Sequence, residues 1–158
     1  MSDARFEDGA ESPLSLKAET PEDLAVMAAL VQDAVLPITE IRYEPRARRL
    51  ALLVNRFRWE DRAMAEAARR PYERVQSLLV IDDVQGVSSQ GIDRQAAETI
   101  LSVLSLDWQP GEDGTGTVQL TLAGDGAIAA RVECLNLTLR DVTRPYIAPS
   151  GKVPQHPV

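Results

Sequence analysis

The chain has one cysteine, Cys134, and one histidine, His156, so most nucleophilic and metal chemistry lacks its parts. A structural zinc site wants about four nitrogen or sulfur ligands, and a hydrolytic triad wants a nucleophile with an oriented base. Cys134 stands among Val132, Leu135 and Leu137, which reads as a buried structural thiol rather than a reactive one. His156 lies between Gln155 and Pro157 on no rigid element, and reads as a tail residue. Asp82-Asp83 is a pair of carboxylates. Neighbouring strand residues point to opposite faces, so the two are expected as solvated turn acids, not as ligands of one hard cation. Gly111-Glu112-Asp113-Gly114-Thr115-Gly116 has the glycines of a phosphate loop, but neither Gly-Lys-Ser/Thr nor a helix follows. No catalytic residue, metal ligand or cofactor-binding residue is assigned, and no cofactor is expected.

Arginine is the remaining chemistry. The 158 residues carry a net charge of −7, which disfavours nucleic acid and anionic membrane as partners. The charge is uneven. Residues 1–41 hold two basic and nine acidic side chains, residues 42–74 ten arginines and five acids, and residues 75–158 five basic groups and ten acids. Guanidinium forks suit carboxylate and phosphate, so the middle block can serve an anionic partner. It can equally be neutralised by the chain's own acids. Strand alternation puts Arg56 and Arg58 on one face, about 7 Å apart, as the contact with an acidic partner surface. Residues 1–13, with Asp3, Glu7, Asp8 and Glu11, are the nearest partner within the chain itself.

The elements that position these groups follow from hydrophobic spacing. Leu14 to Ala18 alternates as a short strand. Thr20-Pro21-Glu22-Asp23 opens a helix, with Thr20 as cap, Pro21 in the first turn, and acids toward the positive end of the dipole. Leu24, Met27, Ala28, Val31, Ala34 and Val35 continue it to Pro37, widened by Val26 and Leu30. Ile38–Glu44 and Arg49–Trp59 read as strands, the second fully apolar at first and then with one wet face carrying the arginines. Glu60–Pro71 is a short helix or a loop. Tyr72–Ile92 is strand again, with a bulge or corner at Asp82-Asp83. Asp93 can cap a shorter second helix carrying Ala97, Ile100, Leu101 and Leu104, which gives way to strand near Ser102. Thr117–Ala123 and Ala127–Leu139 form a hairpin through Gly124-Asp125-Gly126. Its apolar phase slips near Cys134, which predicts a bulge or a passage between two sheets.

The expected fold is therefore α+β: mostly antiparallel sheet with one long N-terminal helix and a shorter second helix. Glu40–Pro45 and Ser105–Pro110 share the order polar, aliphatic, charged, aromatic, polar, proline, which suggests two α-β-β pseudo-repeats. A doubly wound α/β fold would need regular strand–helix alternation, which the long strand stretches lack. The expected organisation is a disordered acidic terminus over 1–13, one domain over 14–142 and a proline-rich extended tail over 143–158. The longest apolar run, Leu24 to Val31, is too short to span a membrane, and the first residues do not read as a secretory signal.

Three stretches carry a family likeness: Tyr72–Leu78, Val87–Asp93 and Val132–Leu135, with Asn55–Trp59 upstream. Together they resemble an uncharacterised alphaproteobacterial family, the domain of unknown function 2948, over residues 14 to 142. The resemblance implies a small cytoplasmic bacterial protein and transfers no catalytic residue. The functional expectation is thus a non-enzymatic binding or scaffolding module, with a protein partner or a second copy joined through sheet edges. The alternative is a small ligand-binding domain or enzyme using carboxylates and arginines alone. Its sign would be a concave pocket where Arg56, Arg58 or Tyr43 meets a desolvated acid.

Overall fold

In the computed structural model, residues 13–93 and 95–147 are described. The strands are β1 (Ser15–Ala18), β2 (Val35–Pro37), β3 (Ile41–Glu44), β4 (Arg49–Phe57), β5 (Glu73–Ile81), β6 (Val84–Gln90), β7 (Ile100–Pro110), β8 (Gly116–Leu122), β9 (Gly126–Val132), β10 (Leu137–Asp141) and β11 (Tyr146–Ile147). Helices α1 (Pro21–Val31) and α2 (Arg62–Ala67) complete the set, with single 3-10 turns at Ile38–Glu40, Trp59–Asp61 and Glu112–Gly114. Every strand pairing is antiparallel, in the order β1-β10-β5-β4-β2-β7-β8-β9-β6, with β3 beside β4 and β11 beside β5.

Two sheets face each other across one core. The first is built on β1, β10, β5 and β4, and the second on β7, β8, β9 and β6; β2 joins them by pairing with β4 at Asn55 and with β7 at Ser102–Ile100. Leu50, Leu52, Val54, Leu79 and Ile81 from the first sheet meet Leu106, Val118, Leu120, Ile128 and Ala130 from the second. The chain changes sheets twice, at the positions where the sequence interrupts its apolar phase. Asp83, at φ 59°, turns β5 into β6, and residues 133–136 carry β9 into β10.

Helix α1 starts as its sequence prescribes, with Thr20 Oγ1 accepting from the Asp23 N–H at 3.1 Å and Pro21 in the first turn. Leu24, Met27 and Val31 enter the core, and truncating Leu24 would cost about 2–5 kcal/mol. The helix is shorter than expected. It has 11 residues and stops at Val31, because Asp33 takes φ 62°, its N–H donates to the Val103 carbonyl, and the Ala34 carbonyl accepts from the Val103 N–H. Val26 is exposed and does not widen the apolar face.

The second helix is not at Asp93. Residues 95–99 form turns, and Ile100–Pro110 is a continuous strand between β2 and β8, so the second α-β-β unit has no helix. The short helix is instead α2, inside the stretch that read as helix or loop. Ile38–Glu40 is a 3-10 turn rather than the start of a strand. Tyr146–Ile147 pairs with Arg74 and Glu73, so the start of the proline-rich tail is sheet rather than free extended chain. The acidic segment before Pro13 lies outside the described residues, as does His156.

Candidate functional site

Arg56 and Arg58 do not form an exposed patch. Arg56 shares its phase on β4 with Leu50, Leu52 and Val54, so its side chain enters the core face and is completely buried. Its five N–H groups are all engaged, one of them from Nη1 to the Phe57 carbonyl at 3.4 Å. Nε donates to Ser77 Oγ at 2.9 Å, and Nη1 and Nη2 fork onto Glu60 at 2.9 and 2.8 Å. Nη2 also donates to Asp141 Oδ1 at 3.0 Å. Ser77 Oγ donates to the same oxygen at 2.7 Å, and the Leu14 N–H donates to Asp141 Oδ2 at 2.9 Å. Burial alone would pull the Arg56 guanidinium down, but the hydrogen bonds and charges of Glu60 and Asp141 hold it above its ordinary value.

Arg58 lies beyond the end of β4 and is 8% exposed. Its Nη1 donates to Glu73 at 2.8 Å, and Asp61 lies 3.6 Å away. Asp61 is itself gripped by Arg70 through two hydrogen bonds of 2.6 Å. These bonds hold the Asp61 carboxyl below the usual carboxylate range, so it cannot serve as a general acid near neutral pH. Within the block, Arg56, Arg58 and Arg70 are thus paired with carboxylates at positions 60, 61, 73 and 141, while Arg48 pairs with Glu133, Arg49 with Asp82 and Arg62 with Glu66. This is the self-pairing alternative, reached through residues of the domain rather than through its acidic end.

The other residues with chemical possibilities separate. Asp82 pairs with Arg49 at 2.9 Å, while Asp83 accepts from Cys134 Sγ at 3.3 Å and Asn136 Nδ2 at 3.2 Å. Cys134 is exposed, not buried, because it falls in the crossover between the sheets. The hydrogen bond to Asp83 pushes its thiol up, away from the thiolate that reactive cysteines need. Among the described residues, no group of three or more His, Cys, Asp or Glu side chains could hold a metal ion.

The concave feature lies elsewhere. A cleft of about 510 Å³ is lined by Ile38, Ile41 and Tyr43, by Leu50, by Val87, Ser89 and Ile92, and by Ile128. Among the described residues β3 pairs only with β4 and β6 only with β9, so each contributes a strand edge unpaired by them beside this cleft. The register with Leu52 and Leu50 turns Ile41 and Tyr43 toward the core side. Near Arg48, whose carbonyl accepts the Val84 N–H at 2.9 Å, the two sheets are tied together. Gly91, at φ 67°, then turns the chain so that Ile92 lines the cleft; a Cβ there would meet the Asp125 carbonyl oxygen at 2.6 Å.

Tyr43 thus reaches a pocket, but no acid lines it. Arg56 meets desolvated acids without a pocket. The two halves of the carboxylate–arginine alternative are in different places. Of the cleft residues, only Tyr43 was marked by its sequence. Val87, Ser89 and Ile92 fall in a stretch that carries the family likeness, but nothing in it marked a cleft, because two edges left unpaired are a property of topology.

No helix is long and apolar enough to cross a membrane among the described residues. Neither the curated proteins nor the solved structures hold a match to the chain. A family model does match, over residues 14–156, further toward the C-terminus than the motifs suggested. The chain belongs to the family described as protein of unknown function DUF2948.

Proposed function

We propose that this protein is a non-enzymatic binding module that receives an extended, apolar segment of a partner polypeptide in the cleft between β3 and β6. The observation that carries this reading is the pairing of two unpaired strand edges with an aliphatic lining. Strand edges offer main-chain donors and acceptors to an added strand, and alternate side chains of that strand would drop onto Ile41, Val87 and Ile128. Burying those groups supplies affinity at roughly 25 cal/mol per Å² before the cost of ordering the segment. The pairing of the arginines with internal acids favours binding over acid–base chemistry.

The volume also lies within the roughly 300–1,000 Å³ of small-molecule sites, and the Tyr43 and Ser89 hydroxyls could orient an apolar ligand. A single titration separates the two. Hexapeptides of alternating valine and threonine, and a medium-chain fatty alcohol, are added to the full chain while the amide resonances of Ile41, Tyr43, Val87 and Ser89 are followed. Saturable shifts with the peptide, lost when its amides are N-methylated on one edge, support strand addition. Shifts with the alcohol alone support the ligand reading and refute the peptide one. No response at these amides to either probe refutes the cleft as the binding site.

A further inference from the structure

The two edges of the cleft run in opposite senses. The turn over residues 45–48 ends at the tie to Val84, so the chain approaches the tie along β3 and leaves it along β6. At the far end Ile38 and Ile92 line the same cleft, and the Ile38 N–H donates to the Thr99 carbonyl at 3.0 Å. One strand laid in the cleft therefore cannot be antiparallel to both edges. The edges are also unequal. β3 has four residues, and the Ile41 N–H at its start already donates to the Ile38 carbonyl. β6 has seven, about 23 Å of strand, of which the tie uses the Val84 N–H. Antiparallel pairing is the stronger kind per residue, and every strand pair among the described residues has it.

The ends of the cleft differ in charge. Glu40, in the 3-10 turn before β3, and Asp93, Glu98 and Asp125 are exposed around the far end, without an ion-pair partner among the described residues. Asp125 adjoins that end at Gly91, where a Cβ would meet its carbonyl oxygen at 2.6 Å. The one base in residues 93–98 of the sequence is Arg94. At the tie Arg48 pairs with Glu133 and Arg49 with Asp82, which leaves Arg42 and Arg46 balanced against Glu44 and Asp83. The far end is the acidic one.

We infer that the segment received by the cleft adds to β6 antiparallel, and so runs parallel to β3, with its N-terminal end beside Asp93 and a basic flank there. The inference rests on the reading of the cleft as a site for an extended segment, and gives that segment a direction and a flanking charge. Addition to β6 extends the second sheet past its edge, so that Ile41 and Tyr43 meet the side chains of the added strand rather than its backbone. A partner with the same apolar run but its bases after it would carry them to the balanced end and leave the acids unmatched.

The test uses the full chain and two peptides of one composition, Lys-Lys-Val-Thr-Val-Thr-Val-Thr and Val-Thr-Val-Thr-Val-Thr-Lys-Lys, both acetylated and amidated so that terminal charges do not enter. Followed at the Val87 and Ser89 amides, the first should bind at least about threefold tighter, and the preference should vanish at about 1 M salt, where screening extends to roughly 3 Å. Glu40→Gln with Glu98→Gln, two exposed positions, should shrink the preference without changing the fold. A nitroxide on the N-terminus of the first peptide should broaden the Gly91 and Ile92 amides, and one on its C-terminus those of Val84 and Gln85. The exchanged pattern, broadening confined to Ile41 and Tyr43, or equal affinity of the two peptides overturns the inference while leaving the cleft as a binding site. Absence of saturable shifts with both peptides overturns the inference and the reading of the cleft together.

Discussion

Arg56 Nη2 and Asp141 Oδ1 lie 3.0 Å apart although 85 residues separate them in the chain. The contact ties β4 to β10, and Asp141 extends it to β5 through Ser77 and to the start of β1 through Leu14. The first sheet is thereby cross-linked by a single carboxylate with a 5% exposed side chain. Removing Asp141 leaves Arg56 held by Glu60 alone and takes the acceptor from Ser77 Oγ and from the Leu14 N–H. Asp141→Ala should therefore lower unfolding stability by about 1–3 kcal/mol, read as a fall in the urea midpoint. Arg56→Met combined with Asp141→Leu should be less destabilised than Asp141→Ala alone, because no fully buried charge remains and Glu60, whose side chain is 30% exposed, can turn to solvent. A double variant worse than the single would mean that the network's remaining hydrogen bonds, rather than its charge balance, dominate.

The Asp61–Arg70 pair predicts a pH dependence with a definite sign. The Asp61 carboxyl is held below its ordinary value in the folded protein by Arg70's hydrogen bonds. The stability it contributes is therefore fully present above the unfolded carboxylate range, near pH 4, and is lost as pH falls through the lower folded value. Arg70→Gln should bring the folded value back up and flatten this part of the acid limb. Unfolding midpoints from pH 5 to pH 2.5 check it. Parallel acid limbs in the two proteins would show that Asp61 does not contribute this linkage.

The fold was legible where local chemistry and burial agree. Thr20-Pro21 marked the start of α1, Gly124-Asp125-Gly126 marked the β8–β9 turn, and the phase slips at Asp82-Asp83 and Cys134 marked the two sheet crossings. It was illegible where a distant partner decides. Ile100, Leu101 and Leu104 have helical spacing, but β2 and β8 on either side make the segment a strand. Arg56 occupies the apolar phase of β4, an unfavourable place for a guanidinium until Glu60 and Asp141 are brought to it. Alternation with Phe57 and Trp59 suggested a wet face instead, because the strand ends at Phe57 and strict parity ends with it. The cleft was the least legible part, since it depends on which edges stay unpaired.

Gly91 should be intolerant of a side chain. Its φ of 67° is strained for any other residue by roughly 1–2 kcal/mol, and the Asp125 carbonyl occupies the position of a Cβ. Gly91→Ala should lower the thermal midpoint and displace Ile92 from the cleft. Its heteronuclear spectrum should change at Val87, Ser89 and Ile128 while Arg56 and Asp141 stay in place. An unchanged midpoint would show that the turn relaxes freely.

Cys134 gives the most direct check on local electrostatics, because its thiol is exposed and its neighbour is known. Thiolate is the reacting form toward iodoacetamide, and the Asp83 carboxylate 3.3 Å from the sulfur favours the protonated thiol. Alkylation of the folded protein near pH 8 should therefore be slower than that of an unperturbed cysteine. Asp83→Asn removes the charge, and asparagine tolerates the left-handed backbone at φ 59°, so the crossover can keep its conformation. The variant should alkylate faster, with its rate–pH profile displaced toward lower pH. The displacement, rather than the rate alone, is the diagnostic, since greater access would raise the rate without moving the profile. If the profile stays in place, the raised thiol owes its shift to burial or to Glu133 rather than to Asp83.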